Sequence, residues 1–364
     1  MSQQDDDSNG GSAPTANAAP QGAAPEATEQ PAADAPKEDS ASSAASEALK
    51  ASKEEEEKKK AQETASEVVE KGGLIAGKFQ ISLTESYTHL QTNQLYIEGF
   101  GILPIVVVGN IDVQNVRRDI FTTVVGASYK LTDKMQVSIN VPWQYSMAAT
   151  STATGIQGRK AGASNKEETN QSAGLGDITV GTFYQLTREG LTMPSFSGGL
   201  DFKARNGRDF FETPDPAAHV PTGTGFYTLR ATLSASKTSA PAVVFGSVGY
   251  GYNFPRENIA YTPANGPAVL IKSYKPGASL NLSAGVSLSL NYKLSLSWSL
   301  AESTNFSTKV NGATSPNTAT NSITFRMGGI WRISEKTLVD LSLTSGLTND
   351  AGGTTISLRL PWSY

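Results

Sequence analysis

The residues that most constrain the fold are the last ones, 352–364, which read GGTTISLRLPWSY. Apolar and polar side chains alternate here, and the apolar positions are Ile356, Leu358, Leu360, Trp362 and Tyr364. Because successive side chains of a strand point to opposite faces, the segment predicts a strand with one apolar face. A soluble edge strand of this kind would invite aggregation, whereas a lipid-facing strand ends in an interfacial aromatic girdle. We therefore predict a membrane-spanning strand, with Leu360, Trp362 and Tyr364 as its girdle and assembly signal.

The composition argues against a transmembrane helix. The sequence has no run of about 20 apolar residues. Only 38% of the residues are hydrophobic, which a membrane barrel tolerates because half of each strand faces a polar lumen. The longest apolar run, residues 99–109, contains Pro104 and either extends two strands or folds inward as a constriction. The first residues lack the basic start and apolar core of a signal peptide, so we expect the numbering to describe a mature or re-engineered chain.

The N-terminal region differs in composition from the rest of the chain. Residues 1–40 contain no aromatic residue and are mainly small, acidic or Pro, which predicts a disordered periplasmic linker. Residues 41–73 contain Glu residues four positions before Lys residues, which predicts a short α-helix that ends at Gly72 and Gly73. This helix is a solvated helix, a weak coiled coil or a plug for the lumen. The plug candidates are Leu49, Glu54, Glu55, Glu56, Glu57, Val68 and Val69.

The charges are distributed unevenly. Residues 1–73 carry 16 acidic and 7 basic residues, whereas the remainder carries 18 acidic and 23 basic residues. An acidic N-terminal region attached to a basic body suggests that the two interact, and the alternative is a solvated tail.

From Lys78 onward the side chains alternate with a period of two, which predicts strands. The predicted strands are 79–88, 118–131, 135–145, 177–186, 195–205, 226–235, 243–254, 280–290, 292–300, 323–333, 339–347 and 352–364. Long polar loops are predicted at about 89–117, 146–176, 206–225, 255–279 and 301–322, and tight turns lie between the other strands. An even number of strands with turns at one end and loops at the other is the outer-membrane pattern. The fold class is therefore all-β, a twelve-stranded antiparallel transmembrane β-barrel over residues 74–364.

Three residues fit this pattern less simply. Pro142 and Pro361 lie inside predicted strands, where a missing N–H donor requires a bulge or a strand end. Glu85 falls on the lipid-facing parity of the first strand, and we place it at the outer interface, at a bulge or against a neighbouring subunit.

The face opposite the apolar parity predicts which charged residues line the pore. Charges facing lipid at the midplane cost about 2–4 kcal/mol for Arg or Lys, so these residues are assigned to the lumen. The predicted pore-lining residues are Arg118, Lys130, Asp177, Asp201, Lys203, Arg205, Arg230, Lys293, Arg326, Asp340 and Arg359. They either pair across strands to hold the barrel shape or give the pore a preference for anions.

Several stretches together resemble a known family. They are TNQLYIEGFGILPIVVVGNIDVQNVRRD, YKLTDKMQVSINVPWQY, GLGDITVGTFYQL, HVPTGTG and the aromatic terminus, which itself resembles the C-terminal signal of outer-membrane barrels. This order resembles the outer-membrane family labelled phenol meta-pathway or transporter-like, and within it the Fap-type functional-amyloid secretion channel. The resemblance implies a periplasmic disordered and helical region, a twelve-stranded barrel, trimers, a helix that plugs the lumen and export of amyloid-type subunits.

Catalytic and cofactor chemistry is sparsely represented. The chain contains two His residues, His89 and His219, and neither has metal-ligand spacing around it. His89 lies near the outer end of the first strand, where outer-membrane phospholipases carry a Ser–His pair, but no nucleophile motif accompanies it. The HVPTGTGF stretch lacks the Lys of a phosphate-binding loop. We predict no enzymatic activity, no metal or other cofactor, and no nucleic-acid partner.

Together these observations predict a pore in the bacterial outer membrane with its N-terminus in the periplasm. The favoured role is export of amyloid-type subunits through a lumen gated by the N-terminal helix. The first alternative is passive uptake of small apolar or aromatic compounds, and the second is a closed structural or adhesive barrel. The expected partners are outer-membrane lipid, further copies of the chain in a homo-oligomer, with a trimer favoured, and the transported polypeptide or small solute.

Overall fold

A computed structural model describes residues 74–75, 77–92, 113–153, 166–212, 221–261, 268–316, 318–334 and 337–364. The predicted linker 1–40, the predicted helix 41–73 and the apolar run 99–109 lie outside these residues. Within them, no helix is long and apolar enough to cross a membrane.

The described residues form seventeen strands in two sheets. The strands are β1 (Phe79–Thr92), β2 (Val113–Thr132), β3 (Met135–Ala153), β4 (Lys166–Leu175), β5 (Thr179–Thr187), β6 (Ser195–Lys203), β7 (Thr228–Ser239), β8 (Ala242–Asn253), β9 (Arg256–Tyr261), β10 (Val269–Lys275), β11 (Ser279–Ser289), β12 (Leu294–Asn305), β13 (Lys309–Val310), β14 (Ala313–Thr314), β15 (Thr320–Ser334), β16 (Thr337–Gly346) and β17 (Thr354–Ser363). Two short 3-10 helices, Phe210–Glu212 and Asn349–Ala351, lie in connections.

The larger sheet closes on itself and forms a twelve-stranded antiparallel barrel, which confirms the predicted fold class. Around the barrel the order is β1, β2, β3, the β4–β5 pair, β6, β7, β8, β11, β12, β15, β16 and β17. β4 pairs with one half of β3 and β5 with the other, so these two short strands together occupy one position in the wall.

Side chains alternate across the barrel wall as the sequence predicts. On β2, Phe121, Val125 and Tyr129 point outward and are 43–51% exposed, whereas Ile120 points inward and is 4% exposed. An apolar outer surface requires lipid around it, because contiguous apolar surface of this extent is rare on soluble proteins.

The strands extend further than the sequence predicted. β2 has 20 residues, and at about 3.3 Å per residue and a tilt near 45° it spans about 47 Å, more than the roughly 30 Å hydrocarbon core. Outside the bilayer both faces of a strand meet water, so the apolar alternation that marked the strands stops before the strands do. For this reason residues 146–153 and 166–175, predicted as loop, belong to β3 and β4.

Three other predicted loops also contain strands. The loop 255–279 contains the hairpin β9–β10, and the loop 301–322 contains the end of β12 and the small hairpin β13–β14. β10 pairs with both β9 and β13, and these strands form the second sheet beyond the long-loop end of the barrel. β1 and β2 likewise extend into the loop predicted at 89–117.

The first and last strands of the barrel close the ring. β1 pairs with β17 from Gln80↔Ser363 to His89↔Thr354. The Tyr364 carbonyl accepts hydrogen bonds from the N–H groups of Lys78 (2.9 Å) and Phe79 (3.2 Å), and the Tyr364 N–H donates to the Phe79 carbonyl (2.8 Å). The aromatic C-terminus is therefore part of the closing ladder, with Tyr364 69% exposed. Leu360 and Trp362 share its parity, and their role as an assembly signal stays a prediction.

The backbone that precedes β1 turns into the barrel. Ile75 is 6% exposed, and its N–H donates to the side-chain oxygen of Gln136, an inward-facing residue of β3 (2.9 Å). Between Ile75 and β1 the chain passes so close to the backbone of Tyr364 that position 77 has no room for a Cβ atom, and a glycine occupies it.

Replacing Gly77 by Ala should weaken the closure of the barrel, because a Cβ atom there would overlap the Tyr364 carbonyl group. Overpacking of this kind costs about 1–3 kcal/mol. We expect a lower urea midpoint and earlier loss of the fast-migrating band on unheated gels. The matched control is Gly190→Ala in the β5–β6 turn, where a Cβ meets no atom within 4 Å. Equal destabilisation by both changes would contradict this account.

Candidate functional site

The fourth barrel position carries a bulge that turns an acidic side chain inward. β3 pairs with β4 up to Trp143↔Leu175 and with β5 from Asn140↔Thr179 onward. Three residues, 176–178, therefore oppose two on β3, which is the definition of a bulge. Pro142 lies opposite it; its carbonyl accepts from Gly176 N–H (2.8 Å), and the ladder does not need the N–H that Pro lacks. This explains how a Pro is accommodated inside the wall.

Asp177 in this bulge holds the connection between β6 and β7. One carboxylate oxygen accepts from the Gly207 N–H (3.0 Å), and the other accepts from the N–H and the hydroxyl of Thr224 (2.8 and 2.7 Å). Lys203 Nζ lies 3.8 Å from the second oxygen, and the side chains of Asp177 and Lys203 are 0% and 9% exposed. Lys203 also donates to the Thr224 hydroxyl (2.6 Å). The carboxylate is thus buried, neutralised and hydrogen-bonded, so it acts as an anchor for this connection.

The two described runs of the connection, 204–212 and 221–227, lie against each other beneath the anchor. The Thr222 hydroxyl donates to the Leu175 carbonyl (2.7 Å) and accepts from the Arg208 N–H (3.1 Å). Gly207 and Gly223 are in backbone contact, since a Cβ on Gly207 would lie 2.7 Å from the Gly223 Cα. The stretch GLGD and the described part of HVPTGTG, residues 221–225, therefore meet on the inner face of the wall.

A second anchor joins the same connection to the long-loop end. Asp209, 2% exposed, accepts from the N–H groups of Phe211 (2.8 Å) and Glu212 (3.0 Å) and forms an ion pair with Arg256 of β9. Arg256 lies over the Phe211 ring, with the centroid 5.3 Å away. The connection is thereby tied to the barrel wall through Asp177 and to the β9–β10 hairpin through Asp209.

Apolar side chains pack around this second anchor. Phe211 packs with Ile259 and Tyr274, and the Phe211 and Tyr274 ring centroids are 5.1 Å apart. Burial raises the pKa of the Tyr274 phenol above its ordinary range, and a hydrogen bond with Thr308 opposes this only in part. The cluster is a small core above the lumen, and its neutral phenol belongs to that core.

Next to the first anchor the lumen holds a cavity of about 410 Å³. Nine of its sixteen lining residues carry hydroxyl groups, so its wall combines hydroxyl groups with apolar surface. The lining is Ser86, Thr88, Ile120, Thr122, Val124, Asn140, Pro142, Gln144, Asp177, Thr179, Thr222, Arg326, Ser342, Thr344, Thr355 and Ser357. Since Thr222 belongs to the β6–β7 connection, the folded-in connection forms part of the cavity wall.

Of the eleven charged residues assigned to the lumen by alternation, Asp177 and Arg326 line this cavity. Arg326 Nη2 lies 3.8 Å from Asp340 Oδ1 and donates to the Ser342 hydroxyl (2.9 Å). Asp340 is the cross-strand partner of Arg359. Asp201 is likewise opposite Arg230, and these cross-strand positions follow directly from the register.

The other assigned residues lie elsewhere. Arg118 on β2 is 2% exposed. Lys130 is near the tight-turn end of β2, where its N–H donates to the Lys78 carbonyl. Lys293 is exposed in the β11–β12 turn with its Nζ 5.3 Å from the Tyr292 ring centroid. Arg205 lies beyond β6, and its guanidinium is 5.5 Å from the ring of Tyr227, an exposed side chain. Arg205 and Lys293 lie past strand ends, where alternation carries no information, so their assignment to the lumen stays a prediction.

Polar residues also occur on the outer face. Glu85 is exposed and accepts from the Thr123 hydroxyl across β1 and β2 (2.9 Å). Nearer the loops, Asp119 accepts from the Tyr87 hydroxyl (2.7 Å) and pairs with His89 Nδ1 (2.8 Å). These contacts form a cross-strand polar network beside the lipid-facing aromatics Tyr87 and Phe121.

Sequence reasoning missed the residues that complete the anchors: Thr222, Thr224, Asp209 and Arg256. HVPTGTG was interpreted as an ordinary loop, and its closely spaced Thr and Gly residues were the available signal. Contacts between two loops depend on the tertiary path of the chain, which a period-two pattern does not encode.

A family model described as putative MetA-pathway of phenol degradation matches residues 110–363, well over half of the chain. Among solved structures, the chain is similar to an outer membrane channel from Pseudomonas putida F1, with a TM-score of 0.56, 14% identity and coverage of 80% of this chain and 97% of that one. This likeness shows the fold of an outer-membrane channel.

Two further structures are similar at lower scores. The translocator domain of the autotransporter NalP from Neisseria meningitidis has a TM-score of 0.45 at 10% identity, covering 89% of this chain and 98% of that chain. A Pseudomonas aeruginosa FadL homologue has a TM-score of 0.38 at 10% identity, covering 79% and 90%.

Replacing Asp177 by Asn should loosen the β6–β7 connection, because the buried carboxylate loses its charge opposite Lys203 and part of its acceptor capacity. We expect larger and noisier single-channel currents in planar bilayers. Asp201→Asn is the matched control, since it removes the same charge from β6, where Asp201 lies opposite Arg230 of β7. If Asp201→Asn produced the same noise, lumen charge and not the anchor would explain the effect.

Proposed function

Because the chain belongs to the family described as putative MetA-pathway of phenol degradation, we propose that it is an outer-membrane channel for small solutes, with small aromatic compounds as favoured cargo. The observation that supports this most directly is the lumen cavity next to the anchored β6–β7 connection. Its volume of about 410 Å³ falls within the roughly 300–1,000 Å³ typical of small-molecule sites. Its mixture of hydroxyl groups with Ile120, Val124 and Pro142 suits a ring that carries a polar group.

The same geometry makes export of amyloid-type subunits the less supported role. A polypeptide that passed this level would have to displace the connection, which breaks the contacts of the buried Asp177. Leaving a buried charge without its partners costs about 3–5 kcal/mol. A small solute that occupies the cavity leaves those contacts in place. The trimeric state and the periplasmic position of the N-terminus stay predictions.

Uptake by intact cells tests the proposed cargo, because the outer membrane slows the entry of small aromatic compounds. A simple liposome bilayer lets them pass without a channel, so it is not a suitable test. Cells that contain the protein should take up labelled phenol at limiting concentration faster than cells that lack it. Thr122→Trp narrows the cavity from β2 and should abolish most of this gain. Val125→Trp is the matched control, since Val125 lies on the same strand, faces outward and is 51% exposed. The proposal is refuted if the rate of phenol uptake is the same in cells with the protein, with the Thr122→Trp variant and without the protein.

We further propose that the predicted helix 41–73 gates the lumen. Ile75 supports this, because it is buried and its N–H donates to inward-facing Gln136 near the tight-turn end of β3, only two residues after the predicted helix. A segment tethered there has a high effective concentration, so even weak affinity keeps it bound. The acidic charge of residues 1–73 also complements the basic remainder of the chain.

Deleting residues 1–72 should therefore raise the conductance in planar bilayers. High salt should partly reproduce the deletion in the full chain, because it screens the attraction. Equal conductance of the full and shortened chains at both low and high salt would exclude gating by this segment.

A further inference from the structure

One group of lumen charges is unbalanced. Asp177 faces Lys203 and Asp201 faces Arg230, one acid for each base. Asp340 on β16 instead lies between two bases, Arg326 on β15 and Arg359 on β17. These three side chains together carry one excess positive charge at the lumen wall.

The geometry of Arg326 leaves it able to bind a further group. Its distance to Asp340 is 3.8 Å, which is at the long limit of an ion pair, and its side chain is 25% exposed. One of its terminal nitrogens donates to the Ser342 hydroxyl, and the guanidinium has more N–H groups than these two contacts use. The guanidinium fork matches a carboxylate in a bidentate arrangement.

The cavity beside Arg326 is amphiphilic. Hydroxyl groups of Thr344, Thr355 and Ser357 lie on the same side of the barrel, on β16 and β17. Ile120, Val124 and Pro142 contribute apolar surface from β2 and β3. A ligand that satisfies both parts has an anionic group at one end and a flat apolar ring at the other.

We propose that this cavity is a binding site for a monoaromatic carboxylate, held through its carboxylate by Arg326 with Arg359 supplying the second positive charge. The proposal deepens the proposed channel function and rests on it. The ring lies against Val124 and Pro142, and the hydroxyl groups replace water around the carboxylate. A channel needs such a site to be attractive enough to draw the solute in and weak enough to release it. The partial neutralisation by Asp340 limits the affinity in this way.

The test uses the full chain in detergent and isothermal titration with benzoate, benzyl alcohol and acetate. Benzyl alcohol keeps the ring without the charge, and acetate keeps the charge without the ring. Wild-type protein should bind benzoate more tightly than either. Arg326→Gln should weaken benzoate binding about tenfold or more, the size of a lost charged hydrogen bond. Arg359→Gln should weaken it less, because Arg359 pairs with Asp340 but does not line the cavity. Both should change benzyl alcohol binding by less than about twofold, since the ring contacts remain.

Three further variants keep the test decisive. Arg332→Gln is the matched control, because Arg332 has the same parity on the same strand but lies outside the cavity lining. It should leave benzoate binding unchanged. Asp340→Asn should strengthen benzoate binding, because it removes the competing carboxylate. Arg326→Lys keeps the charge without the fork and should give intermediate affinity. Heat-dependent gel mobility verifies that each variant is folded.

The outcomes separate the site from the channel function. The site is overturned if benzoate binds no more tightly than benzyl alcohol, or if Arg332→Gln weakens benzoate binding as much as Arg326→Gln does. In either case, phenol uptake by cells still supports the channel function. Acetate binding as tight as benzoate overturns the aromatic ligand. Benzoate binding that depends on Arg326, in a protein that does not promote aromatic uptake by cells, upholds the site and removes the proposed cargo.

Discussion

The rest of the structure depends on backbone hydrogen bonding in a medium without water. Inside a bilayer every N–H and C=O group needs a partner within the protein, so the sheet must close on itself. β1 and β17 provide this closure, and the C-terminal Tyr364 contributes its own N–H and C=O groups to it. Where the wall departs from a regular ladder, other hydrogen bonds replace the ladder bonds that are lost. The bulge at 176–178 lies opposite Pro142, and the Thr222 hydroxyl donates to Leu175 at the end of β4.

The sequence predicted the barrel well because closure and lipid impose a strict period of two on the residues within the bilayer. The strand number and the antiparallel order followed from that period together with the alternation of turns and loops. The predicted strand bounds were wrong where a strand leaves the bilayer, because lipid no longer imposes an apolar face there. Residues 166–175 are an example, since both of their faces are mainly polar. The hairpin β9–β10 escaped prediction for the same reason, since it lies beyond the barrel.

The candidate site was predictable only in part. Parity brought Asp177 and Arg326 to the lumen side, but it could not show that the two carboxylates Asp177 and Asp340 have different surroundings. Asp177 is saturated by two backbone N–H groups, a hydroxyl and a Lys. The Lys is the last residue of β6, but the other three groups come from a loop whose path the sequence does not reveal. Arg205 and Lys293 lay past strand ends, where a residue's parity no longer determines its face.

The two carboxylates also show how one residue type serves two purposes in the same lumen. A charge that is buried and matched one to one fixes structure, because moving its partners away exposes an uncompensated ion. A carboxylate shared between two bases neutralises only part of their positive charge, so the bases can still attract an anionic ligand. How much of that charge the carboxylate neutralises sets how strongly the ligand is held. Since Asp177 and Arg326 line the same cavity, the fixed connection shapes the space in which Arg326 operates. In the proposed channel, the anchor therefore shapes the path by which solutes reach the guanidinium, and Asp340 sets how strongly Arg326 holds them.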